Sequence, residues 1–351
     1  MRKLYFYGIL FILAFGLSCG ESKNKDIPSP KLKVLIIDGQ NNHYIWPKTS
    51  MIMGSYLEQT GLFDVKTTHM DTIWLGIKYN PNRSGTLTKY IHEFPLDSSK
   101  HVISAQPTKN SNFNIDFSNY DLIVSNLGLM VADWPDRTKR NFEKYINEGG
   151  GLVVVHAANN SWGNWEEYNK MIGLGAWDGR DSISGPYVFY NSDREIEKDH
   201  SKGVAGSHGL EHEYTITSRA PEHPIMKGLP LTWIHAKDEL YDRMRGPFEN
   251  ATILATAYSD SEKNQQPWEP AMKGTGWNVP TLMAINYGKG RIFHTTLGHF
   301  DYSMECVGFM TTFQRGSEWA ATGKVNQDIP DDFPSKDKST SRIWTKKVGD
   351  K

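Results

Sequence analysis

Residues 149–162 read GGGLVVVHAANNSW: three glycines, the apolar run Leu152–Val155, then a histidine and a polar stretch. In open parallel sheets, ligands bind beyond the carboxyl ends of the strands, so residues just past such runs are candidates for chemistry. Asp38, Gly39, Gln40, Asn41, Asn42, His43 and Trp46 follow KVLIID, and Asn126 follows YDLIVS. His156, Asn159, Asn160, Ser161 and Trp162 follow GLVVV. His235, Asp238, Glu239 and Tyr241 lie in TWIHAKDELYDRM, and His294, His299 and Asp301 in GRIFHTTLGHFD. The histidines titrate near neutral pH and the carboxylates can partner them in proton transfer.

The candidate catalytic set is His156, Glu239, Asp238 and His299, with His156 and Glu239 as base and acid. The candidate substrate contacts are Asn41, Asn42, His43, Trp46, Asn159, Trp162, His235 and Tyr241, the two tryptophans stacking on a sugar ring. No cofactor is fixed by the sequence, but a divalent metal such as zinc is possible. The HxxDE order at 235–239 lacks the HExxH spacing that puts two imidazoles on one helix face. A metal would instead be held from distant segments by His43, His156, His299 and Asp238, since histidine and carboxylate suit zinc. Each residue also has a plainer reading. Asn41 and Asn42 could make a turn, Asp238 and Glu239 could cap a helix or pair with Arg243 and Arg245, and both tryptophans could be core. His69, His92, His101, His200 and His208 are read as structural.

These residues need a frame. KVLIID (33–38) is a continuous apolar run suited to a strand buried on both faces. Pro47 opens a helix that runs to about Thr60, and FDVKTTHM (63–70) is the next strand. After an irregular insertion between Ile77 and Ser118 come a strand at 120–129, a helix from Pro135 to Gly149 and the GLVVV strand. This alternation predicts a parallel, doubly wound sheet. The second half reads as strands, the last two a hairpin around Gly288–Gly290, then a helix over about 304–321. A loose charged tail is expected from about 326.

The N-terminus reads as a signal segment (1–18): a basic start, the apolar run Leu4–Leu17, and Cys19 directly behind it. The run is short for a membrane span. Cys19 resembles the acylated cysteine of bacterial lipoproteins, with 19–30 as a Pro/Ser-rich tether, 31–322 as the folded domain and 323–351 as the tail. The expected address is the cell envelope, periplasmic or outer-membrane, with membrane contact through the lipid only. Lys and Arg (39) nearly balance Asp and Glu (40), and no basic run argues for nucleic acid. With Cys19 acylated, Cys306 has no partner for a disulfide. The 11 Trp, 16 Tyr and 15 Phe fit either a sugar-handling surface or a large core.

GLVVVHAANNSW, EHPIMKGLP, HAKDELYDRM, INYGKGRIFHTTLGH and FMTTFQRGSEWAATG together resemble the ThuA-like (trehalose utilisation) family. The resemblance implies a fold similar to class I glutamine amidotransferases: a flavodoxin-like three-layer α/β/α sandwich, its sheet mainly parallel with extra antiparallel strands in the second half. It also implies bacterial sugar catabolism linked to 3-keto-glycosides. Amidotransferases carry a nucleophilic cysteine at the strand-to-helix elbow. Here that region holds His156, which excludes glutamine hydrolysis. The expected function is therefore acid/base chemistry on a small carbohydrate, of isomerase, lyase or hydrolase type. The alternatives are a non-catalytic carbohydrate-binding lipoprotein and a metal-dependent sugar hydrolase. A glycosidase using Asp238 and Glu239 as its carboxylate pair is disfavoured, because adjacent strand residues point to opposite faces.

Overall fold

In the computed structural model, which describes residues 1, 3, 30–76, 86–108, 112–192 and 195–346, the apolar run of the first strand is buried from Val34 to Ile37. The Leu4–Leu17 run, Cys19 and nearly all of the 19–30 tether lie outside the described residues. No helix among the described residues is long and apolar enough to cross a membrane.

The chain runs β1 (Leu32–Asp38), α1 (Trp46–Gln59), β2 (Phe63–His69), then an insertion with β3 (Thr72–Trp74), α2 (Leu87–Glu93) and β4 (Val102–Ser104). It resumes with β5 (Leu122–Ser125), α3 (Asp136–Asn147), β6 (Gly151–Val155) and α4 (Glu166–Ile172). The second half holds β7 (Tyr187–Tyr190), β8 (Ile196–Asp199), β9 (His212–Ser218), β10 (Thr232–Asp238), β11 (Ala251–Tyr258), β12 (Asn278–Tyr287) and β13 (Gly290–Thr295). It ends in α5 (Asp301–Met304) and α6 (Val307–Thr322).

The main sheet is ordered β10-β9-β11-β12-β13-β6-β5-β1-β2. From β2 to β13 the neighbours are parallel; from β13 through β12, β11 and β9 to β10 every pairing is antiparallel. An even number of reversals restores the direction, so β10 ends on the same edge as β1, β6 and β13. That edge carries the candidate residues.

Alternation along the strands feeds two cores, as expected for a sheet covered on both faces. Val34 and Ile36 pack with Ile52, Met53 and Leu57 of α1 and with Phe309 and Phe313 of α6. Leu35 and Ile37 belong to the opposite core, with Phe142 and Ile146 of α3 and Tyr168 and Met171 of α4. In α3, Thr138, Phe142 and Ile146 recur every fourth residue, the stripe an amphipathic helix turns inward.

The segment after α6 is not loose as far as residue 346. Ile234 N–H, on the edge strand β10, donates to Ser335 O at 2.8 Å, Val307 N–H to Thr340 O and Arg342 N–H to Glu305 O, both at 2.9 Å. Phe333 packs on Trp233. An edge strand offers unpaired donors, and the charged tail satisfies one of them while covering the edge.

At the far side of the sheet, buried Asp38 accepts hydrogen bonds from Ser50 Oγ and pairs with His69 Nδ1. Burial lowers the His69 pKa, but the Asp38 charge outweighs it and the net shift is upward. A raised histidine stabilises the fold fully below its unfolded value of about 6.5, and that contribution is lost as pH rises through the folded-state value. His69→Gln should therefore lower Tm more at pH 5.5 than at pH 9. Equal losses at both would show that the ion pair adds nothing.

Candidate metal and acid–base centre

Three loops and the end of β10 build the site. After β1 the chain turns sharply at Gly39, whose φ is +106° and where a Cβ would sit 2.8 Å from Met70 N. Asn41 then fastens the turn: its Nδ2 donates to Asn126 O and Leu127 O at 3.1 Å, and its Oδ1 accepts from His43 N–H at 2.8 Å. Asn42 Oδ1 accepts from Leu129 N–H at 2.8 Å. These two amides hold His43 in place rather than reaching out to substrate.

His156 begins the elbow after β6 with φ +46°, a conformation that costs energy outside glycine and collects at functional sites. Its Nδ1 lies 2.7 Å from Thr296 O, which can only accept, so Nδ1 carries the proton and Nε2 presents a lone pair. Tyr241 Oη lies 2.9 Å from that Nε2 and takes a hydrogen bond from Asn160 Nδ2, leaving its own proton for His156. His299 follows β13. Its Nδ1 lies 2.8 Å from Glu211 Oε1, an ion-pair contact out of line for a hydrogen bond, and its Nε2 lies 3.8 Å from Glu239 Oε1. Glu239 follows β10, with Oε2 3.5 Å from His156 Nε2 and Oε1 2.9 Å from His208 Nδ1.

His43, His156, Glu239 and His299 each offer one ligand atom, and these atoms all lie within 4.8 Å of one another. Three imidazoles and one carboxylate form a donor set suited to zinc, whose bonds of about 2.0–2.2 Å would draw it inward. Behind His156 the Thr296 carbonyl accepts Nδ1–H, the contact that orients a metal-binding imidazole, while Glu211 holds His299 by charge. Charge favours the ligand form of His43 and of Glu239. Burial, then His299 and His156, push the His43 pKa well below its ordinary value, keeping a lone pair available. Burial opposes ionisation of Glu239, yet His299, His156 and His208 hold its pKa well below the carboxylate range. Burial would lower the His299 pKa, but Glu239 and Glu211 raise it, so a metal would have to displace the proton from this imidazole.

Other expected site residues lie elsewhere. Asp238 is fully buried and accepts from Glu239 N–H (2.9 Å), Gly298 N–H (2.8 Å), His299 N–H (3.0 Å) and His235 Nε2 (2.9 Å). It clamps the end of β10 to the loop after β13 and is not a ligand, and His235 stands behind it, fully buried. Asn159 is also interior, its Nδ2 3.0 Å from His294 Nε2. Neither tryptophan is a sugar platform. Trp46 packs with Ile73 and Leu87, while Trp162 packs edge-on against Trp134 and Tyr168 and donates Nε1 to Ala132 O. Two residues outside the expected set do reach the centre: His208, read as structural, and Glu211. Both lie in the stretch before β9, where no strand-end pattern marks them.

The chain matches the trehalose utilisation (ThuA) family profile over residues 81–320. The chain belongs to the ThuA family. That membership links it to carbohydrate metabolism. A ThuA-like protein from Parabacteroides merdae is 39% identical, with a TM-score of 0.74 over 90% of this chain and 98% of its own. A second, from Bacteroides uniformis, shares the fold at 15% identity, TM-score 0.50, over 85% and 94% of the two chains. A search of curated proteins found none that matches. In this ThuA chain the only cysteine among the described residues, Cys306, is buried at the start of α6 and not on the elbow segment, and its Sγ accepts from Ala236 N–H at 3.5 Å.

Proposed function

We propose that this ThuA protein is a metal-dependent enzyme that moves protons on a keto-sugar, exported and anchored through Cys19. The observation that carries the reading is the four-ligand cluster with the outer nitrogens of His156 and His299 engaged behind it. When bound, a divalent ion there would polarise a sugar carbonyl and stabilise the negative charge that develops on it.

The proton work falls to residues beside the cluster. His208 Nδ1 lies 2.9 Å from both Glu239 Oε1 and Gly209 O, two acceptors, so it carries the proton and Nε2 is the basic atom. Glu239 then stabilises the imidazolium formed when Nε2 takes a proton from the carbon next to the carbonyl. General-base help of this kind supplies about 10²–10⁴-fold. Burial and Glu239 hold the Tyr241 pKa well above its ordinary value, so its hydroxyl stays protonated; once a metal took the His156 Nε2 lone pair, that proton would be free for the sugar oxygen. In a 3-keto-glycoside the proton leaves C2. Reprotonation at C3 moves the carbonyl to C2, whereas expulsion of the oxygen on C1 breaks the glycosidic bond.

Incubation in water with a 3-keto-disaccharide carrying deuterium at C2 tests this: the label should exchange into solvent by either route, and His208→Asn should slow its loss at least about 100-fold while metal content stays at wild-type level. No exchange by the metal-loaded wild type would overturn the proton-transfer reading. For the anchor, Cys19→Ala should leave the membrane fraction; unchanged fractionation would remove the lipid attachment.

A further inference from the structure

Trp268 is 60% exposed, yet the loop that carries it is firmly built. Ser259 Oγ, Thr275 N–H and Thr275 Oγ1 all donate to the buried Asp242 carboxylate, three residues after Glu239. Asn264 Oδ1 accepts from Gly209 N–H at 2.9 Å, tying the loop to the neighbour of His208. Within the loop, Gln266 N–H donates to Met272 O, and Gln265 Nε2 reaches Pro270 O at 2.7 Å. The indole thus stands beside His208, ring centroids 5.1 Å apart, one residue removed from Glu239. On the His43–His299 side, Tyr44 is 37% exposed and packs edge-on against Phe300, which in turn touches His299 at a centroid distance of 4.4 Å.

An exposed indole on an anchored loop next to a polar centre is what the C–H face of a sugar ring stacks on; the rings of Trp and Tyr pair an apolar face with a polar handle. Tyr44 and Phe300 border the cluster directly at His299, whereas Trp268 is reached from it only through Glu239 and His208. We propose that Trp268 is the platform for a second sugar ring, so that the substrate is a glycoside of at least two rings, with the reacting ring between the cluster and Tyr44. This assignment rests on the proposed sugar chemistry, and it makes Trp268 a specificity residue for the part of the substrate that does not react.

Calorimetric titration of the metal-loaded protein with trehalose (two rings) and methyl α-glucoside (one ring), neither oxidised, tests the platform without turnover. Trp268→Ala should weaken trehalose at least about tenfold and methyl α-glucoside less than about twofold. Trp268→Phe should recover most of the loss, and Tyr44→Ala should weaken both sugars. Equal loss of both sugars in Trp268→Ala, no loss, or no binding of trehalose by the wild type would each overturn the proposal. Failure of the metal reading would look different: a wild type without metal that still discriminates the two sugars through Trp268.

Discussion

Glu239→Gln should purify without metal and without turnover. Glu239 supplies the only carboxylate in a cluster of three imidazoles, and an amide oxygen brings no charge to a dication. Changing a group behind the ligands typically costs 10–100-fold in affinity, so loss of a ligand should exceed about 100-fold. Chelated wild type is the matching control for folding. It should lose turnover and regain it on adding zinc, whereas Glu239→Gln should regain none under the same conditions. A variant that keeps stoichiometric metal and activity would mean that Glu239 is neither ligand nor proton partner, and the centre as built would fail.

The strand pattern carried much of this arrangement. KVLIID and GLVVV are apolar without alternation because both faces of β1 and β6 are covered, and parallel strands bring their carboxyl ends to one edge. His43, His156 and His299 follow from that rule alone. Glu239 reaches the same edge only because β10 lies four antiparallel pairings from β13, a parity that no local pattern reveals.

His208 and Glu211 were illegible for a different reason. Their loop is placed by distant partners, the paired backbones of Ser207 and Asp242 and the contact between Gly209 and Asn264. Trp46 and Trp162 were misread because a position just past a strand says nothing about which way a large side chain turns. The tail was misread because charge suggests solvation, while Ser335 O in fact takes the Ile234 N–H of the β10 edge.

Asp238 separates a structural carboxylate from a catalytic one. Its Oδ1 accepts from the N–H groups of Glu239 and His299, and its Oδ2 from Gly298 N–H and His235 Nε2. Asp238→Ala would leave three buried backbone donors unsatisfied, each costing about 1–3 kcal/mol, and would break a buried charged pair whose loss alone costs about 3–5 kcal/mol. These losses are not additive, but they far exceed an ordinary substitution. Asp238→Asn can still accept through one oxygen, though its NH₂ then opposes a donor, so its Tm should fall between those of wild type and Asp238→Ala. Turnover should fall with stability in both variants, because Glu239 and His299 are held through the same carboxylate. An Asp238→Asn protein that melts like the wild type but has no turnover would return Asp238 to the chemistry and leave the clamp without a role.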